Sequence, residues 1–226
     1  MRTIMRNAVR AAAAAAMLAV PAALVAAPLV VRSQGPSAKA YPPGRAVENV
    51  PLVLKAGDVV TVLAPSGART LRGPGTFKVA GGGAATAFNP RSRFSAMRGT
   101  EVPPTPGLWD VDVSRSGNFC LADPKQVLLW RPTSSADVTL QVTPATGAGQ
   151  EIAWASGSMM LRWPQQLPIA DGAEYALRLN ADGEASRLKF RTLAGLGEDP
   201  TALAKAFIDH DCQAQLDLLI QAAPAE

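Results

Sequence analysis

The sequence predicts a mainly β protein, two small β-sandwich-like domains followed by a C-terminal amphipathic α-helix. Three observations carry this. Short apolar or alternating runs recur between turn signals from residue 52 onward, the spacing of a small sandwich or barrel. All 4 tryptophans, Trp109, Trp130, Trp154 and Trp163, fall in the second half, three of them within strand-like runs, as expected for the aromatic centre of a sandwich. After Asp199-Pro200 the apolar period lengthens from two to three or four, which is helical.

The chain opens "MRTIMRNAVRAAAAAAMLAVPAALVAAPLVV", with Arg2, Arg6 and Arg10 ahead of an apolar run that carries no charge until Arg32. A basic end, an apolar middle and small residues near a cut form a secretory signal. Residues 1–27 are therefore read as a signal peptide, cleaved after Ala26 or Ala27. The alternative is an uncleaved anchor, since residues 11–31 are long enough to span a bilayer. In either case the leading arginines stay in the cytoplasm and the rest is exported. The expected location is periplasmic, free or membrane-anchored.

Residues 28–50, rich in Gly, Pro and Ser, read as an extended lead-in. "PLVLKAGDVVTVLAPSG" and "ARTLRGPGTFKVA" each hold two strand-like runs split by a glycine turn, giving a small β-domain over residues 51–101 with a connecting region from about 80. A linker, 102–107, leads to a second domain, 108–193. There "DVTLQVT", "EYALRL" and "SRLKFRT" alternate at period two, putting Val138, Leu140, Val142, Tyr175, Leu177, Leu188 and Phe190 inward. Asp199 as N-cap and Pro200 at the first helical position start a helix over residues 199–222. Its stripe is Leu203, Phe207, Ile208, Cys212, Leu216, Leu219 and Ile220.

The 2 cysteines, Cys120 and Cys212, lie in the exported part. An even count in an oxidising compartment predicts a disulfide, with Cys212 on the inward stripe tying the helix to the domain. No metal site is expected, because His210 is the 1 histidine and no further cysteine supplies ligands. No cofactor motif is present either. "GPGTFK" lacks the spacing of a phosphate loop.

Charge is split along the chain. Residues 32–98 hold ten Lys or Arg against two acids, a net +8, and residues 99–226 hold nine against sixteen, a net −7. The halves either attract each other or meet a charged partner. Without the signal arginines the chain is nearly neutral, so its basic pI is no argument for nucleic acid.

Catalytic candidates are sparse. Ser66 in "LAPSGART" lacks the Gly-x-Ser-x-Gly elbow, and His210 would have to serve any triad from the terminal helix. Asp110 and Asp112 share a strand face as an acidic pair. No catalytic residue is assigned, and the glycine-rich stretch 55–79 reads as the corners of a β-meander.

"GPSAKAYPPGRAVENVPLVLKAGDVVTVLAPSGARTLRGPGTF", with "AMRGTE" at residues 96–101, resembles the periplasmic FecR-type domain in its apolar strand, "AGDVV" turn and "GPGTF" corner. The resemblance implies a non-catalytic β-domain engaged in envelope signalling or protein contacts. FecR regulators place an anti-sigma segment before a membrane span, whereas only ten residues precede the apolar run here. Residues 108–193 more loosely resemble an immunoglobulin- or fibronectin-like sandwich. The expected function is an exported, non-enzymatic interaction module. Its partner would be an envelope protein, with the basic N-terminal domain able to meet anionic envelope surfaces. The alternatives are an envelope hydrolase using Ser66 or the acidic pair, and a carbohydrate or peptidoglycan binder using exposed tryptophans.

Intact-mass analysis of the exported protein should give a chain that begins near Ala27 or Pro28. A mass that includes residues 1–26 means an anchor.

Overall fold

The computed structural model describes residues 27–79, 105–193, 195, 197 and 199–225. The expected signal segment and the "AMRGTE" stretch lie outside them. The fold is mainly β, with helices only at its C-terminal end among the described residues.

In the N-terminal unit β1 (Leu29–Gln34), β3 (Val59–Ala64) and β4 (Gly67–Arg72) form an antiparallel sheet in the order β1-β3-β4. A ribbon of β2 (Pro51–Leu54) and β5 (Gly75–Lys78) covers one face. Val30, Val60, Val62 and Leu71 meet Leu52 and Leu54 there. Leu29, Val31 and Leu63 point the other way, into a second core. A sheet buried on both faces needs apolar residues at both phases of its strands, which is why "VVTVLA" is a continuous apolar run. The lead-in expected at residues 28–50 contains β1, whose Leu29, Val30 and Val31 are all buried. Burial on both faces left no alternation to read.

The second unit is a sandwich. Its strands are β6 (Asp110–Asp112), β7 (Gly117–Leu121), β8 (Leu128–Trp130), β9 (Val138–Pro144), β10 (Gln150–Trp154), β11 (Met160–Arg162), β12 (Glu174–Leu179) and β13 (Ala185–Thr192). They form sheets β10-β9-β12-β13-β7 and β11-β8-β6. Leu140, Val142, Leu177 and Phe190 of the larger sheet pack against Val111, Leu129 and Trp163. Phe190 meets Trp163 edge-on at 5.3 Å and Phe119 at 6.4 Å, the offset geometry aromatic rings prefer.

The single helix expected over residues 199–222 is two helices, α1 (Pro200–Asp209) and α2 (Gln213–Ala222). Asp199 caps α1, its carboxylate accepting from the Ala202 N–H at 2.8 Å. Asp211 then turns left-handed at φ 56°. The Cys212 N–H donates to the Phe207 carbonyl and the Asp211 N–H to the Ile208 carbonyl, the paired bonds of a Schellman end. The apolar period runs through the break because Leu203, Phe207, Cys212, Leu216 and Leu219 all enter one core.

That core joins the units, since Leu29, Val31 and Leu63 of the first meet Leu108, Cys120 and Leu193 of the second around the helices. Strand β7 is an edge of the larger sheet, and α2 occupies that edge. The Cys120 N–H donates to Gln215 Oε1 at 2.6 Å, and Gln215 Nε2 donates to the carbonyls of Cys120 at 2.8 Å and Leu108 at 3.0 Å. One side-chain amide thus takes the place of a neighbouring strand's peptide. Asn118 Nδ2 adds a bond to the His210 carbonyl, and Cys120 is joined to Cys212 by a disulfide. Arg32 pairs with Asp217 across the units, and the Ala68 N–H donates to the Pro224 carbonyl at the free edge of β4.

Gln215→Leu keeps the apolar volume but strands three buried backbone groups, at about 1–3 kcal/mol for each unsatisfied group. Urea unfolding of the oxidised protein should show a loss of at least about 2 kcal/mol, and a loss below about 0.5 kcal/mol contradicts this role.

Candidate interaction surface

The stretch 55–79 is organised by Asp58. Asp58 is 1% exposed, and its carboxylate accepts from the backbone N–H groups of Ser37 and Lys55. Burial pushes this carboxyl up, but the bonds from Ser37 and Lys55, with the Lys55 charge, outweigh that and leave it below the usual range. Two glycines are there for space. A Cβ on Gly35, at φ +100°, would lie 2.6 Å from Asp58 Oδ1, and one on Gly73 would lie 2.0 Å from the Lys55 carbonyl oxygen. The glycines and Asp58 therefore build corners.

Ser66 lies in the turn between β3 and β4. His210 closes α1, its N–H donating to the Ala206 carbonyl and its carbonyl accepting from Asn118. Four clefts of 360, 430, 440 and 550 Å³ are lined by neither residue. Asp110 accepts from the Gly107 N–H at 2.8 Å, and Asp112 accepts from Ser114 N–H and hydroxyl at 2.9 and 2.6 Å. Burial raises the Asp110 carboxyl, against the Gly107 bond that lowers it. A raised acid beside a second carboxylate is the pairing used in general acid–base chemistry. The cleft they share is only about 30 Å³, one water's share of liquid volume.

The tryptophans belong to cores. Trp130, Trp154 and Trp163 are 4%, 1% and 8% exposed, and half-buried Trp109 stands edge-on to Phe207 at 5.8 Å. Trp154 lies under the guanidinium of buried Arg131 at 4.9 Å. That cation is held by the carbonyls of Ser158, Ala136 and Ala155. None of the four rings offers an exposed platform for stacking on a sugar.

The surface that the sequence reading passed over is the outer face of the larger sheet. With Tyr175, Leu177, Leu188 and Phe190 turned inward, period-two alternation turns Glu174, Ala176, Arg178, Arg187, Lys189 and Arg191 outward. Arg187 lies opposite Ala176, which lies opposite Thr143; Lys189 lies between Glu174 and Asn118. Small Ala176 among long neighbours opens a cleft of about 430 Å³ over β7, β13, β12 and β9. Lys189 Nζ pairs with Glu174 at 2.7 Å. The bond from Lys189 and its charge hold Glu174 below the usual carboxylate range, with Arg191 contributing. Among the described residues Arg178, Arg187 and Arg191 make no ion pair. Four of the nine bases in residues 99–226 thus gather on one face of the half whose net charge is −7.

Comparison with protein-family models, curated proteins and solved structures returned no match.

The Asp58 cluster has a pH signature. A carboxyl depressed in the folded state stabilises the fold above its unfolded value, near 3.9, and this is lost as pH falls through the folded value. Asp58→Asn should therefore lower the thermal midpoint at neutral pH, and the gap from the parent protein should narrow below about pH 4. A gap that stays constant with pH contradicts the assignment.

Proposed function

We propose that the chain is an exported, non-enzymatic interaction module of the cell envelope, of the FecR-like kind its N-terminal half resembles, with an envelope protein as partner. The observation that carries this is the outer face of the larger sheet, where a cleft lined by Glu174, Arg187 and Lys189 shares the face with Arg178 and Arg191, and the three arginines make no ion pair among the described residues. Functional side chains fixed on a sheet recognise a surface with little loss of conformational freedom. Export is supported by the basic and apolar opening of the sequence and by the Cys120–Cys212 bridge, which suits an oxidising compartment. Among the described residues no helix is long and apolar enough to cross a membrane. Cleavage after Ala26 or Ala27 would leave β1 whole, because Leu29 is its first residue.

The charge split has a contact inside the molecule, the Arg32–Asp217 pair. That pair favours mutual attraction of the halves over an anionic surface as the main use of the basic N-terminal unit. A hydrolase would need Ser66, His210 or the Asp110–Asp112 pair at a cleft that admits substrate, and the clefts described above do not supply one.

The test is capture from envelope extracts by the immobilised mature chain, with mass spectrometry of what is retained. A dominant protein partner should be held equally by the parent chain and by Ser66→Ala/His210→Ala, and less as salt rises. No retained protein at low salt, retention by isolated cell wall alone, or loss of capture in the folded double variant overturns the reading.

A further inference from the structure

We propose that the outer face of the larger sheet binds an extended acidic segment of a partner protein, lying along β13 with carboxylates at alternate positions. This rests on the interaction-module reading and names the chemistry of its partner. Arg187, Lys189 and Arg191 project from one face of a single strand. Residues two apart on a strand are about 6.6–6.8 Å apart along it, the repeat an extended peptide shows on each of its own faces. Acids at i, i+2 and i+4 of such a peptide meet the three bases in register. Arg178, opposite Ala185 on the adjacent strand β12, adds a fourth cation beside the line.

Two features favour a carboxylate-bearing chain as occupant. Among the described residues neither Arg187 nor Arg191 makes an ion pair, so an acidic chain meets cations that no acid of this chain holds. Guanidinium forks take carboxylates through two parallel bonds, and two of the three bases along β13 are arginines. A sugar ring finds no stacking surface here: Tyr175 lines the cleft, but it is buried and its hydroxyl donates to the Pro168 carbonyl at 2.9 Å.

The test uses fluorescence anisotropy on the whole mature chain, with a labelled peptide of about eight residues alternating Glu and Thr. An isomer with its acids in one block and vesicles containing phosphatidylglycerol serve as competitors. The alternating peptide should bind in a salt-sensitive way and at least about threefold more tightly than the blocked isomer, because only it matches the strand repeat. Arg187→Ser/Arg191→Ser should weaken binding about tenfold, the loss of two surface charge pairs. Exposed Arg187→Glu, which leaves half-buried Arg191 in place, should weaken it as well with an unchanged melting temperature. Equal binding of the two isomers, no effect of Arg187→Glu, or binding to vesicles in place of peptide overturns the proposal. If the peptide fails while the chain still captures its envelope partner, this surface is excluded and the module reading stands.

Discussion

The open edge of β7 is the constraint on which the rest depends. An edge strand presents unpaired N–H and C=O groups that must find partners or invite another chain. Here the two groups of Cys120 are taken by one glutamine side chain, Gln215, itself wholly buried. The disulfide from the same Cys120 fixes the start of the helix that carries this glutamine. Closing a loop of 92 residues corresponds to roughly 4–5 kcal/mol in the chain-entropy model. Once α2 is held there, α1 packs against β1 and β3, and Leu203, Phe207, Leu216 and Leu219 share one core with Leu29, Val31 and Leu63. The N-terminal sheet is covered on its second face as a consequence. Without the helices, Leu29, Val31 and Leu63 would face water.

Much of this was legible in the sequence, and what was not has identifiable causes. Period-two alternation located β9, β12 and β13 because each has one face in the sandwich core and one in solvent. The same alternation hid β1, where both phases are apolar, and the neighbouring prolines and glycines made it read as a lead-in. The helix break at His210-Asp211 was hidden for the opposite reason. Both helices point their apolar residues into one core, so the stripe continues through a turn that an aspartate makes at positive φ. Gln215 was missed because a glutamine on a helix ordinarily faces solvent, and its partner is a strand 95 residues away. The basic line on β13 was readable from "SRLKFRT" once Leu188 and Phe190 were placed inward. The net negative charge of that half masks it in composition.

The acids at turns and the bases on the larger sheet differ in what their side chains touch. Asp58, Asp110, Asp112 and Asp199 accept from backbone N–H groups at turns and a helix start. They shape corners of the chain. On the larger sheet Arg178, Arg187 and Arg191 make no ion pair among the described residues, while Glu174 holds Lys189. That contrast is why the proposed contact surface is placed on the second unit and not at the acidic turns.

The helix pair, tied at Cys120, holds both β units in one body. Hydrogen exchange of the intact and the reduced protein under native conditions tests it most directly. On reduction, protection should fall together in α1, α2, β7 and the Leu29–Val31 part of β1, while β9 and β12 stay protected. Loss confined to the two helices, with β1 and β7 unchanged, would contradict the account.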